Sequence, residues 1–321
     1  MNKALERAVF DSVFGGRFSS EIIESEIPDF LIKDPEGITL GVEVTEIYTD
    51  FTDARLKNQE GYLDGLLAGT QKIFRADKGM MDVDEIKILR EDGQVFSVET
   101  AVIRGVPTFK ESMNLLEQAI REKNLKAPTY LASCDQVDLI VSDASGIFNF
   151  KKDEDFYRSF FHTLDRNLIK NLQFREIYFI YHSIESDKKS IPIKLNSFMC
   201  DLLSLHYTFL ADNKEIDSSE NESTIILLLA LYELGHQDFS FSISEKILII
   251  DLGAWVLEFE TERTNVKDHT NLLSPRKKEK LISDAYDGAD ESDQLAAQKL
   301  ANKRWNNVAY VTILFPLADA S

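Results

Sequence analysis

Apolar residues recur along the chain at two spacings, and each spacing predicts a different kind of element. Between residues 3 and 14 they lie three or four positions apart, which predicts an amphipathic helix that ends at glycines 15 and 16. Two strand-like runs follow, at 30–32 and 38–48, and the turn sequence Asp-Pro-Glu-Gly lies between them. The pattern therefore predicts a β-hairpin directly after the first helix.

The middle of the chain alternates helical and strand-like patterns. The predicted elements are helices over 53–75, 110–126 and 153–171, a second hairpin over 85–89 and 94–102, and buried strands over 137–141 and 177–181. Glycines 61, 65 and 69 share one face of the first of these helices, and we interpret them as a site of close packing against another element. Buried strands that alternate with helices predict an α/β layer with some parallel pairing.

The pattern changes after residue 183. A polar, acidic stretch over 212–223 predicts a surface loop, and the apolar run over 225–234 fits either a helix or a strand. The remaining predicted elements are strands over 241–243, 247–260 and 308–315 and a helix over 293–304. We therefore predict two domains, one over residues 1–185 and a C-terminal α+β region over residues 186–321.

Composition restricts the classes of function. The chain has 36 basic and 55 acidic residues, a net charge of −19, which excludes a polycation that coats nucleic acid or an anionic membrane. Metal ions and local basic faces can offset acidity, so the charge does not exclude a nuclease. No apolar run approaches the ~18–20 residues that span a bilayer. We therefore expect no membrane association. Two cysteines exclude a disulfide framework and a four-thiolate zinc site, which favours a cytoplasmic protein.

Two carboxylates distinguish the first hairpin. Side chains alternate along a strand, so Val42 and Val44 are expected to point into a core while Glu43 and Thr45 share the other face. The hairpin is expected to bring Asp29 near Glu43. Converging carboxylates are readily neutralised by Mg²⁺, which binds carboxylate oxygen, water and substrate phosphate. Such an ion activates water and stabilises charge on a phosphate oxygen, so the pattern indicates phosphodiester hydrolysis.

The sequences Pro28-Asp29 and Glu43-Val44-Thr45 together resemble the motif of the PD-(D/E)xK nuclease superfamily. The resemblance covers residues 1–145 and extends towards 185. It implies an α/β fold with a restriction-endonuclease-like mixed β-sheet core flanked by helices, followed here by the C-terminal α+β extension. It also implies that Asp29 and Glu43 hold Mg²⁺ or Mn²⁺, that the main-chain carbonyl of Val44 adds a ligand, and that Glu6 acts through a metal-bound water.

The sequence departs from this motif at position 45, where Thr45 replaces the lysine that would position the attacking water. The segment 119–126, followed by Tyr130, resembles the I-x-x-K-x-x-K…Y helix of nuclease subfamilies with a VEVT-like strand. We therefore expect Lys123 or Lys126 to supply the missing cation. Two further lysines are weaker candidates, Lys33 and Lys57.

These observations predict a metal-dependent nuclease that favours DNA over RNA. The residues after 185 would serve specificity, homodimerisation or contacts with a protein partner. The alternative is a catalytically inactive module of the same fold that binds nucleic acid or protein, which the threonine at position 45 and the net charge of −19 both favour. In a third interpretation Asp29 and Glu43 are unrelated surface residues and lie far apart. The sequence contains no HExxH, GxSxG or GxxxxGK[ST] motif, so other hydrolase and nucleotide-binding classes are not indicated.

Overall fold

The protein is described by a computed structural model over residues 3–16, 21–33, 37–148, 153–181, 189–212, 220–244, 247–260, 263–268 and 280–304. The described helices are α1 (Lys3–Phe14), α2 (Phe51–Asn58), α3 (Tyr62–Leu67), α4 (Phe109–Asn124), α5 (Ala127–Tyr130), α6 (Asp153–Thr163), α7 (Arg166–Lys170), α8 (Ile193–Asp212), α9 (Glu220–Glu233), α10 (Ile282–Asp287) and α11 (Glu291–Lys303). The strands are β1 (Glu21–Glu24), β2 (Phe30–Lys33), β3 (Thr39–Glu46), β4 (Met81–Leu89), β5 (Val95–Arg104), β6 (Gln136–Ser142), β7 (Ile177–Tyr181), β8 (Lys189–Pro192), β9 (Ser240–Ser244), β10 (Ile247–Asp251), β11 (Trp255–Phe259), β12 (Thr264–Asp268) and β13 (Lys280–Leu281).

The centre of the molecule is a six-stranded mixed sheet in the order β1-β2-β3-β6-β7-β8. Strand β2 pairs antiparallel with β1 and with β3, and its pairing with β3 is the predicted hairpin. Strand β6 runs parallel to β3, and β7 runs parallel to β6. The prediction of an α/β layer with some parallel pairing is therefore confirmed, and the connections carry helices on both faces of the sheet.

The two faces of β3 have different surroundings. Val42 and Val44 point into a hydrophobic cluster that includes side chains of α1, α8 and α9. The opposite face, to which Glu43 points by alternation, is covered by α4 and α6, which pack against Leu139 and Val141 of β6. The predicted orientation of the two valines is thus confirmed, and the carboxylate of Glu43 lies beneath α4.

The C-terminal part adds a second, antiparallel sheet in the order β12-β11-β10-β9-β13, packed with α8, α9, α10 and α11. The apolar run over 225–234 lies largely in α9, so it is a helix and not a strand. The predicted domain boundary after residue 185 stays a prediction. Strand β8 lies beyond it in sequence yet forms the edge of the first sheet, and one hydrophobic cluster joins both parts. The predicted strand over 308–315 lies outside the described residues.

Two predicted helices are interrupted. The helix over 53–75 was predicted wrongly: the chain forms α2 and α3, with Gly61 between them at φ +71° and Gly69 after them at φ +69°. These left-handed conformations cannot continue an α-helix. No atom lies within 4 Å of a Cβ built at Gly61 or Gly69, so these two glycines serve turns and not close packing. The helix over 153–171 divides at Asp165, whose side chain accepts hydrogen bonds from the backbone N–H groups of Asn167 and Leu168.

None of the described helices combines the length and the apolar character needed to cross a bilayer.

A buried glutamate joins the two parts of the molecule. The Glu176 carboxylate accepts hydrogen bonds from the backbone N–H groups of Ile177, Lys194 and Leu195 and from the indole Nε1 of Trp255, at 2.7–3.1 Å. It therefore caps the N-terminus of α8 from outside that helix. Burial raises the pKa of Glu176 from 4.5 to about 7, although these donors favour the charged form.

Stability is expected to decrease with rising pH because of Glu176. Between pH 4.5 and 7 the folded chain retains a proton on this carboxyl that the unfolded chain releases, so the free energy of unfolding falls across that interval by about 3 kcal/mol. Urea unfolding at pH 5 and pH 8 measures the difference. Glu176→Gln should remove this part of the pH dependence, whatever its effect on absolute stability, while the exposed Glu222→Gln should retain it. An unchanged slope in Glu176→Gln would assign the effect to another group.

Candidate active site

Asp29 lies directly before β2 and beside β3. Its Oδ2 accepts a hydrogen bond of 2.9 Å from the backbone N–H of Val44, and the residue is 8 % exposed. Within a strand the N–H and C=O groups of one residue point to the same side. The Val44 carbonyl therefore faces the same side of β3 as the Asp29 carboxylate, and Glu43, which is 6 % exposed, is the neighbouring residue. The two carboxylates are adjacent, contrary to the third interpretation of the sequence.

The negative charges of Asp29 and Glu43 repel each other in a buried site. Burial raises the pKa of Asp29, and the negative charge of Glu43 raises it further. The Val44 N–H and the ammonium group of Lys3 partly offset this effect. A cation between the carboxylates would offset the desolvation cost of the two negative charges and the repulsion between them.

Lys123 supplies a cation to Glu43. Its Nζ lies 2.5 Å from Glu43 Oε1, and the two side chains are 21 % and 8 % exposed. Helix α4 directs it there, because Leu116 and Ile120 bury one face of the helix against the sheet and Lys123 lies one turn further along that face. A capping box between Thr108 and Glu111 fixes the start of the helix.

Tyr130 completes the buried side of the site. It is 2 % exposed, and its hydroxyl makes no hydrogen bond of ordinary geometry to the described residues. Burial raises the pKa of Tyr130, and the charge of the nearby Glu43 raises it further. The hydroxyl is therefore protonated at neutral pH and is available as a donor. The sequence pointed to Tyr130 only as a residue that follows the lysine-bearing helix.

Helix α1 brings Glu6 to the same region. Phe10 of α1 stacks on Phe30 at a centroid distance of 4.3 Å, which holds the helix beside Asp29. Lys3 Nζ lies 3.1 Å from Glu6 Oε2 and 3.4 Å from Asp29 Oδ1, and it donates to the carbonyl oxygen of Ser25. No hydrogen bond of ordinary geometry reaches the buried Glu6 Oε2. Sequence reasoning missed Lys3, although its i,i+3 spacing from Glu6 was visible.

The other predicted residues lie at different distances from the carboxylates. Thr45 shares the Glu43 face of β3, as predicted, but carries no charge. Lys126 is exposed at the start of α5, and within the described ranges its side chain forms no hydrogen bond or ion pair. Lys57 lies 3.9 Å from Glu46, and Lys33 is exposed at the end of β2. Of the lysines considered from the sequence, Lys123 is the one that contacts Glu43.

The donor set fits a hard divalent cation. Among the described residues, no three side chains of His, Cys, Asp or Glu are grouped to hold a metal ion. Mg²⁺ is commonly held by only one or two carboxylates together with water and phosphate. Asp29 and Glu43 meet that requirement, and the Val44 carbonyl and Glu6 Oε2, which contacts Lys3 Nζ, offer further oxygens.

The chain matches no known family model, no curated protein and no solved structure. The function is therefore argued from the site itself.

Proposed function

We propose that this protein is a metal-dependent nuclease that hydrolyses phosphodiester bonds, with DNA favoured over RNA. The proposal rests on one observation, the contact between Lys123 Nζ and Glu43 Oε1 beside the buried Asp29. Two carboxylates and a lysine that are brought together from separate elements are expensive to desolvate. Such groups persist where chemistry requires them, so their presence in one site indicates function.

The order of elements supports the same proposal. Helix α1 is followed by three antiparallel strands, β1 to β3. After α2, α3 and the ribbon of β4 and β5 come α4, α5 and then β6, which pairs in parallel with β3. A mixed sheet of this kind with flanking helices is what the resemblance to PD-(D/E)xK nucleases implies for the fold. We therefore propose a restriction-endonuclease-like core.

Each residue has a task in this proposal. Asp29, Glu43 and the Val44 carbonyl would hold Mg²⁺ or Mn²⁺, which when bound acidifies water and neutralises charge on a phosphate oxygen. Lys123 orients the attacking water and stabilises the negative charge that develops during attack. Glu6 accepts a hydrogen bond from a water beside Asp29.

The alternative is a catalytically inactive module that binds nucleic acid or a protein partner. Two observations favour it: the threonine at the position of the motif lysine and the net charge of −19. In this alternative the ion pair between Lys123 and Glu43 serves stability.

Cleavage assays distinguish the two. The protein is incubated with plasmid, linear and single-stranded DNA and with RNA, in Mg²⁺, in Mn²⁺ and in EDTA, and Mn²⁺ binding is measured by calorimetry in parallel. We expect cleavage that requires the ion and is lost in EDTA. Binding of nucleic acid without turnover in either ion would support the inactive module. A site that binds no Mn²⁺ at millimolar concentration with nucleic acid present would overturn the proposal.

Lys123→Met is expected to lower the cleavage rate about 100-fold, the usual cost of removing one preorganised donor from a developing charge. Lys126→Met is the matched control, because it removes the same charge three residues away on an exposed position. Its rate should stay within about twofold of wild type, as expected for an exposed charge far from the reacting atoms. Single-turnover kinetics measures both rates. If Lys126→Met is the slower variant, the assignment of the relocated lysine is wrong.

A further inference from the structure

Strands β4 and β5 form a two-stranded ribbon that pairs with no other strand of the described chain. Its base is anchored, since Met81, Val83 and Val102 pack against Tyr62 and Leu66. Isolated two-stranded ribbons are at best marginally stable in water, so the outer part of this one is expected to need a partner.

The outer part of the ribbon exposes large apolar side chains. Six of them are 40–65 % exposed, and they are Ile86, Ile88, Leu89, Val95, Phe96 and Val98. Ile86 and Ile88 point to one face of the ribbon, whereas Val98, which is opposite Lys87, points to the other face. A long unpaired strand with exposed apolar residues is a site of edge-to-edge pairing.

The charge of the ribbon disfavours nucleic acid as the occupant. Residues 81–104 contain six acidic and three basic side chains, a net charge of −3. Phosphate backbones are attracted by surplus lysine and arginine, which this segment lacks.

The free edge of β4 is complementary to itself. Two identical antiparallel strands related by a twofold axis place one residue opposite its own copy, and the residues on either side opposite each other. With Ile86 at the centre, Glu85 faces the partner's Lys87, and Lys87 faces the partner's Glu85. Val83 then faces the partner's Leu89, so apolar residues also meet.

Most other registers of β4 are repulsive. Centring the axis on residue 84, 85 or 87 places a charged residue opposite itself, and centring it on residue 83 places Asp82 opposite the partner's Asp84. Centring it on residue 88 avoids repulsion but gives no opposite-charge pair, because Lys87 then faces the partner's Leu89. Strand β5 offers no charge pair, because Glu99 and Arg104 are an odd number of residues apart and cannot be opposite under twofold symmetry. Ladder register is favoured by such cross-strand pairs, and the pairing about Ile86 is the one that gives opposite-charge pairs within β4.

We propose that a second copy of this chain pairs with the free edge of the ribbon, with the two β4 strands antiparallel about Ile86. The result is a four-stranded sheet in the order β5-β4-β4-β5. This surface is separate from the C-terminal region, through which the sequence suggested dimerisation, and the proposal does not depend on the nuclease activity.

Charge reversal tests the register. We expect the full-length protein to be a dimer by light scattering, and Lys87→Glu to raise the dissociation constant about tenfold or more, because it creates two like-charge pairs. The double variant Glu85→Lys/Lys87→Glu restores both opposite-charge pairs and should restore the dimer. Lys299→Glu, on an exposed position of α11, is the control and should leave the mass unchanged.

A cysteine placed on the axis gives an independent test. Residues opposite each other in an antiparallel pair have Cα atoms about 4.5–5.5 Å apart, a separation that a disulfide spans. Oxidised Ile86→Cys should therefore migrate as a covalent dimer, and Val98→Cys, equally exposed on β5, should not. The native cysteines 134 and 200 are buried and do not interfere. A monomeric wild type, or a dimer that neither Lys87→Glu weakens nor Ile86→Cys crosslinks, would overturn the proposal.

Discussion

Glu43→Gln is expected to lower the cleavage rate about 1,000-fold or more. The substitution keeps the shape of the side chain but removes the negative charge that holds a hard cation, and an amide oxygen is a weaker ligand for Mg²⁺. It also leaves the Lys123 ammonium, 2.5 Å from Glu43 Oε1, without its carboxylate. Single-turnover cleavage in Mg²⁺ measures the rate, and calorimetry with Mn²⁺ separates loss of ion binding from loss of chemistry.

The control for this variant is Glu46→Gln. Glu46 lies three residues along the same strand, but its carboxylate contacts Tyr48 and lies 3.9 Å from Lys57. We expect this variant to cleave within about twofold of wild type, since its charge lies away from the proposed ion. Equal activity of wild type and Glu43→Gln would show that the cleavage comes from another site or from a contaminant.

Asp201→Asn is expected to lower the free energy of unfolding by about 3–5 kcal/mol, because it leaves several buried cations without their counter-charge. The Asp201 carboxylate is fully buried, and its two oxygens lie 2.5–2.9 Å from Arg166, Lys170, His236 and Arg304. Burial alone would raise its pKa, but the hydrogen bond and charge of His236 and the charges of the neighbouring cations lower the pKa below the ordinary value of 3.8. The stabilisation is therefore complete above that value and is lost as the pH falls below it.

Urea unfolding at pH 7 measures this loss. Asp287→Asn, on an exposed position at the end of α10, should be neutral within about 0.5 kcal/mol. The double variant Asp201→Asn/Lys170→Met should recover part of the stability, since it removes one of the unpaired cations together with the carboxylate. If Asp201→Asn unfolds at the wild-type midpoint, the cluster does not stabilise the fold.

Local patterns account for the parts of the fold and site that were predicted correctly. Alternation along β3 fixed the opposite orientations of Val42 and Glu43, because that periodicity is a property of any extended strand. The hairpin turn brought Asp29 beside Glu43 for a similarly local reason. The interruption of the predicted helix over 53–75 was missed because helical spacing does not report the positive φ that Gly61 adopts.

The sequence by itself determined strands β2 to β7, helices α1, α4 and α11, the pair of carboxylates and the shortlist of lysines, since all of these follow from spacing over a few residues. It did not predict the edge strands β1 and β8 or the long helix α8. Only the tertiary structure decided that Lys123 and not Lys126 reaches Glu43, across 80 residues of sequence, and that Lys3 and Tyr130 border the same site. It also gathered Arg166, Lys170 and His236 on Asp201. Contacts of this kind depend on how separate helices pack on a common sheet, and a choice between side chains one helical turn apart is made by that packing alone.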